Sequence, residues 1–126
     1  MAGAQILIVE DNEKNMKLFR DVLMVSGYRT LEATTGGQAV ELATAHSPDL
    51  VLMDIQLPDI DGVEALGRLR ADERTASLPV VALTAQAMDG DRDRFLAAGF
   101  NGYLSKPVNV ADLIATVKPY CEGSHQ

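Results

Sequence analysis

Short apolar runs alternate with longer amphipathic stretches along the whole chain. Gln5–Val9 is rich in branched apolar residues and predicts a first strand. Glu13–Val25 carries Met16, Phe19, Val22 and Leu23 at helical spacing, with Asn12 as the N-cap and Gly27 at the end. Arg29–Ala33 predicts a weaker strand. Gly36-Gly37 leads into a short helix over Gln38–Ala45, and Pro48 closes the link to a third strand over Leu50–Met53. Ile60-Asp61-Gly62 opens a helix with Val63, Leu66 and Leu69 as its apolar positions. Pro79 precedes a fourth strand, Val80–Leu83. A polar helix around Asp91–Ala98 follows, with Gly99 as its C-cap. Tyr103-Leu104-Ser105 predicts the fifth strand, extended by Gly102. Asn109 caps a last helix that turns Val110, Leu113, Ile114 and Val117 inward.

Five strands alternating with five helices predict an α/β fold with a parallel sheet covered on both faces. The first, third and fourth runs are continuously apolar, as central strands are. Right-handed crossovers narrow the topologies without setting the strand order. No internal repeat, low-complexity segment or linker interrupts the pattern. The chain of 126 residues therefore reads as one domain, with its core at about 4–121 and a short frayed tail. At 47% apolar residues, that length supports a continuous core without disulfides or a structural metal.

Charge and cysteine content remove several function classes. The net charge of −7 and the absence of any basic run argue against non-specific binding to nucleic acid or to an anionic membrane. Cys121 is the one cysteine, so no internal disulfide forms, and no Cys/His metal spacing is present. No apolar stretch approaches the ~20 residues that span a bilayer. Met1-Ala2-Gly3-Ala4 lacks the features of a signal peptide, and the C-terminal end is not a prenylation box. These features predict a cytoplasmic protein.

The candidate chemistry lies where the strands end. Glu10-Asp11, Asp54, Thr84 and Lys106 each follow an apolar run, and in a parallel α/β sheet ligands bind beyond the carboxyl ends of the strands. Crowded carboxylates repel one another and resist desolvation, and a divalent cation offsets both costs. Asp11 and Asp54 are the expected Mg²⁺ ligands, with Glu10 acting directly or through water and the backbone carbonyl of Gln56 completing the set. A carboxylate such as Asp54 can attack phosphorus and form an acyl phosphate. Lys106 would pair with a phosphate oxygen as a point charge, and Thr84 would donate its hydroxyl to another. Taken singly, Glu10 and Asp11 also read as helix caps, Thr84 as a turn residue and Lys106 as a surface lysine. Their shared strand-end placement favours a common site. Gly62 and Gly102 are expected to relieve backbone sterics in loops, and Met16, Met24, Met53 and Met88 to serve packing. His46 and His125 are expected to be exposed, with no role as a base.

Glu10-Asp11, Asp54, Thr84, Tyr103 and Lys106-Pro107 stand in the order and spacing that resemble the receiver domain of bacterial two-component response regulators. The segments 8–12, 51–58 and 104–107 are the most specific, and the stretch from Glu10 to Phe19 resembles stand-alone DivK-type regulators and receivers of hybrid kinases. The resemblance implies a flavodoxin-like (βα)5 three-layer sandwich of strand order 2-1-3-4-5, as in CheY. It implies that a histidine kinase or phosphotransfer protein donates a phosphoryl group to Asp54 with Mg²⁺, and that the domain later hydrolyses its own acyl phosphate. Ala85 matches a position whose small size gives donors access, and Gln56 and Gln86 match positions that tune the phosphoryl lifetime. The Glu10-Asp11 pair is a variant of Asp-Asp that shifts weight onto Asp11. The switch it implies draws Thr84 inward and lets Tyr103 fill the space, although Tyr103 also reads as a half-buried strand aromatic. A cis Lys106–Pro107 bond is also implied, as are a monomer or weak dimer and output through a downstream adaptor or kinase without an output domain. On this reading the protein is a phosphoacceptor switch rather than a metabolic enzyme. A phosphohydrolase of the haloacid dehalogenase type is a weaker rival, because Gln56 stands where those enzymes carry an acid. A phosphorylation-independent interaction module is another, and a receiver excised from a hybrid kinase a third.

Overall fold

The computed structural model describes residues 3–85 and 91–121, with no account of the side chains of 91 and 92. Five strands, β1 (Gln5–Val9), β2 (Arg29–Ala33), β3 (Leu50–Asp54), β4 (Val80–Thr84) and β5 (Gly102–Ser105), form one parallel sheet of order β2-β1-β3-β4-β5. Five helices alternate with them: α1 (Glu13–Val25), α2 (Gly36–His46), α3 (Gly62–Ala71), α4 (Asp91–Ala98) and α5 (Val110–Cys121). This is the flavodoxin-like order, with its reversal between β1 and β3.

Every residue of β3 and β4 is buried, because both faces of these central strands are covered. Alternate residues divide between two apolar clusters. Ile6, Ile8, Leu50, Leu52, Val81, Leu83 and Leu104 pack with Met16, Phe19 and Leu23 of α1 and Leu113 and Val117 of α5. Leu7, Val9, Val51, Met53, Val80 and Ala82 pack against α2, α3 and α4 on the opposite face. The period of two along each strand is what sends neighbours to different layers.

Asn12 caps α1 as predicted, its side chain accepting from the Asn15 backbone N–H. Gly27 and Gly99 take positive φ after α1 and α4. Other expectations are corrected. The second helix starts at Gly36, not Gln38, because residues outside it satisfy its first amides, as described below. Val110 is 46% exposed rather than inward. In α3 the inward stripe is Gly62, Ala65, Leu66 and Leu69, and Val63 lies one helical step off it. Val110 borders an open apolar groove with Val22, Val25 and Ile114 rather than the core. Met24 is exposed rather than packed. Gly102 lies within β5 with open space where a Cβ would stand, so it relieves no contact. Met88 and His125 lie outside the described residues. Among the described residues no helix is long and apolar enough to cross a membrane.

Candidate functional site

Strand parity builds the centre of the site. Ile8, Leu52 and Leu104 all face the α1–α5 side, and Glu10, Asp54 and Lys106 each stand two residues farther along. The same row therefore continues past the sheet, with polar groups in place of apolar ones. Parallel registry of Ile8 with Leu52 sets the Glu10 row beside the Asp54 row. Backbone bonds hold the ends of these rows: Glu10 N–H donates to the Ala33 carbonyl at 3.0 Å, Ile55 N–H to Leu83 at 3.0 Å, and Lys106 N–H to Thr84 at 2.7 Å.

Lys106 Nζ lies 2.8 Å from Glu10 Oε1 and 2.8 Å from Asp54 Oδ2, donating a hydrogen bond to the latter. The lysine thus bridges two carboxylates, a role the sequence reading had not assigned to it. Asp54 Oδ1 accepts from the Gln56 backbone N–H at 2.9 Å, and Glu10 Oε2 accepts from Asn12 N–H at 3.1 Å. Glu10 Oε1 is buried and receives no well-directed hydrogen bond, although the ammonium is close. Burial pushes the Glu10 carboxyl above its ordinary range. The Lys106 contact opposes that rise, and Asp54 adds to it. For Lys106, burial pulls the ammonium down, but its hydrogen bond to Asp54 and the negative charge of Asp54 and Glu10 outweigh it and raise the net value.

Asp11 completes the cluster from the solvent side. One carboxylate oxygen each from Glu10, Asp11 and Asp54 lies within 4.8 Å of the others. Three carboxylates then face one ammonium, with one buried oxygen lacking a directed donor. All the donors are hard oxygens, and Asp11 is exposed. That set fits a small divalent cation that keeps several waters. An open groove of about 440 Å³ runs past Glu10 and Asp11 toward Glu32 and Thr34.

The remaining predicted residues surround this centre. Thr84 is buried at the end of β4, and Ala85 is exposed immediately after it. Thr84 follows Ala82, so it continues the row on the α3–α4 face rather than the row of Lys106. Tyr103, registered with Ala82, is half-buried on that same face and packs against Phe95 with ring centroids 6.1 Å apart. The Lys106–Pro107 bond is cis. Gln56 contributes its backbone amide to Asp54, and its side chain is exposed. Gln86 lies outside the described residues. His46 is exposed on α2.

Gly62 relieves backbone sterics as expected, though as the first residue of α3 rather than in a loop: a Cβ there would fall 2.5 Å from the Asp54 carbonyl oxygen. One further contact is not foreseen from the sequence. Asp59 reaches across to α2, where Gly36 N–H donates to its Oδ1 at 2.8 Å and Gly37 N–H to its Oδ2 at 2.9 Å. The trace of this in the sequence is faint: α2 opens on two glycines with no acid in its first turn.

The sequence matches the response regulator receiver domain family over residues 6–118. It is 50% identical over 115 residues to the polar-differentiation response regulator DivK of Brucella ovis, covering 91% of this chain and 94% of that protein. The fold is similar to the receiver domain of sensor histidine kinase PA1611 from Pseudomonas aeruginosa, a structure with a magnesium ion coordinated in the active-site cleft. The TM-score is 0.87 at 41% identity, covering 95% of this chain and 98% of that one. It is also similar to a chain from a co-crystal structure of the Saccharomyces cerevisiae histidine phosphotransfer protein Ypd1 and the receiver domain of Ssk1. There the TM-score is 0.87 at 30% identity, covering 95% and 90% of the two chains.

Proposed function

Because the chain belongs to the response regulator receiver domains of two-component signalling, we propose that Asp54 accepts a phosphoryl group from a phosphohistidine and that the phosphorylated surface signals to a protein partner. The observation that carries this reading is the convergence of Glu10, Asp11 and Asp54 around Lys106 at the carboxyl edge of the sheet.

An Asp54 carboxylate oxygen attacks phosphorus, and an O–P bond forms as the N–P bond of the donor breaks. The electron pair leaves on the donor imidazole, which takes up a proton from water. Gln56 N–H and Lys106 Nζ hold the two Asp54 oxygens in place before attack. As the phosphoryl group forms, Lys106 moves its charge from the carboxylate to a phosphoryl oxygen, where it offsets the added negative charge. Thr84 donates its hydroxyl to a second phosphoryl oxygen, and the exposed Ala85 leaves room for the donor. Glu10, Asp11, Asp54 and the Gln56 carbonyl would hold Mg²⁺, which when bound neutralises charge on the phosphoryl oxygens. Hydrolysis of the acyl phosphate by water resets the domain.

The switch runs through Thr84 and Tyr103, which stand on one face of adjacent strands. Movement of Thr84 toward the phosphoryl group opens space for the Tyr103 ring, which alters the surface formed by α4, β5 and α5. The donors are a histidine kinase or a phosphotransfer protein. The receiver of the signal is a downstream adaptor or kinase, and the site of action is the cytoplasm. The protein acts as a monomer or weak dimer.

Intact-mass measurement on wild type and Asp54→Asn, each with acetyl phosphate and Mg²⁺, tests this reading. A single phosphoryl adduct is expected on wild type, lost when Mg²⁺ is chelated and absent from the variant. Failure to form it from both acetyl phosphate and a phosphohistidine protein would leave a phosphorylation-independent binding module as the function.

A further inference from the structure

We propose that Asp59 is a positioning residue, which clamps the loop between β3 and α3 onto the start of α2 and thereby sets the geometry and metal affinity of the carboxylate site. The metal half of this inference rests on the Mg²⁺ reading above, and the clamp itself does not.

The loop leaves Asp54 and returns to it within a few residues. Its first amide, Ile55 N–H, is fixed to β4, and Gln56 N–H is fixed to Asp54 Oδ1. Where it ends, the first amide of α3, Gly62 N–H, donates back to the Ile55 carbonyl at 2.8 Å. Gly62 also lies so close to Asp54 that a side chain there would strike the Asp54 backbone. Between these ends Leu57 and Ile60 rest on the apolar core. Such contacts are non-directional, whereas a functional site needs its groups held within about 0.5 Å. The directed anchor at the middle of the loop is Asp59.

That anchor is built from both sides. Gly36 and Gly37 are the first residues of α2, whose amides have no intrahelical partner, and each oxygen of Asp59 takes one of them. Thr35 Oγ1 takes the next, Gln38 N–H, at 3.1 Å. The close approach needs glycine at 36, where a Cβ would fall 2.5 Å from Ile60 Cγ1, and is tight at 37, where one would fall 3.3 Å from Asp59 Oδ2. A carboxylate at a helix N-terminus is also favoured by the helix dipole. The Gly37 and Gly36 amides hold the Asp59 carboxyl at about 2, so it is ionised wherever the protein is folded near neutrality. Displacement of this clamp would shift the Gln56 backbone, which binds Asp54 through its amide and is expected to face the metal through its carbonyl.

The discriminating comparison is Asp59→Ala against Thr35→Ala. Both remove a cap from α2, but only the first releases the loop. In metal-free protein, amide exchange at Gln56 and Gly62 is expected to accelerate at least tenfold in Asp59→Ala, with β1 amides unchanged and Thr35→Ala like wild type. By calorimetry, the Mg²⁺ dissociation constant is expected to rise at least fivefold in Asp59→Ala and to stay within twofold in Thr35→Ala. Asp59→Asn keeps one acceptor oxygen and should fall between. Unchanged exchange at Gln56 and Gly62 in Asp59→Ala, or equal effects of the two alanine variants, would overturn the clamp. A wild type that takes up no Mg²⁺ would overturn the metal half alone, and the exchange arm would still decide the clamp.

Discussion

Lys106 carries the electrostatics of the resting site, because it is the ammonium within reach of two buried carboxylates. Removing one partner of a buried ion network leaves uncompensated charge behind. Lys106→Met is therefore expected to cost about 2–3 kcal/mol in urea melts without metal, somewhat below the ~3–5 kcal/mol of fully buried pairs, because Lys106 keeps some solvent contact. Added Mg²⁺ should restore part of that loss. Glu10 gives a pH signature of the opposite kind. Its native pKa is raised above the unfolded value of 4.5. Its contribution to stability in the metal-free protein is then full below that value and is lost as pH rises through the native value. Melts of Glu10→Gln and wild type without metal should diverge in favour of the variant as pH rises above 4.5. Saturating Mg²⁺ should reverse the order, since wild type alone then offers the third carboxylate. Parallel curves for the two proteins would show that Glu10 is not under strain in the metal-free site.

Among the elements, β3, its loop and the start of α3 form the unit that presents Asp54. Gly62→Ala would place a methyl group against the Asp54 carbonyl and Ile55 Cα, both backbone atoms with little freedom to move. Overpacking of this kind costs about 1–3 kcal/mol, and chemical denaturation of Gly62→Ala should show a loss in that range together with weaker Mg²⁺ binding. Element boundaries were legible in the sequence wherever local chemistry sets them. Asn12 caps α1 through its own side chain, and the strands lie within a residue of their apolar runs. The start of α2 was not legible, since Gly36 and Gly37 are poor helix formers until Asp59 satisfies their amides. Val110 was misplaced because hydrophobic periodicity shows which helical face is apolar but not how far the neighbouring layer extends over it.

At the end opposite the carboxylates, the connection from α3 to β4 is tied to the turn before β5. There Arg70 donates to the carbonyls of Thr75, Ala76, Leu78 and Gly99 and to Asn101 Oδ1, linking the end of α3 to the turn between α4 and β5. Burial pulls its guanidinium below the ordinary value. Arg70→Met would strand several of those acceptors, at about 1–3 kcal/mol. Exchange is expected to quicken at Gly99, Phe100 and Asn101 while Asp54 still takes up phosphate; loss of phosphorylation in a folded Arg70→Met would contradict this separation of the two ends. The alternation of strands and helices, the local caps Asn12 and Asn109 and the identity of the strand-end carboxylates were determined by the order of residues, because each depends on neighbours a few positions away. Strand order, the pairing of Lys106 with Glu10 as well as Asp54, and the reach of Asp59 to α2 were decided only in the folded chain. Each joins residues distant in sequence, and a directed contact at 2.8 Å depends on where two elements come to rest against a shared core, which no local pattern records.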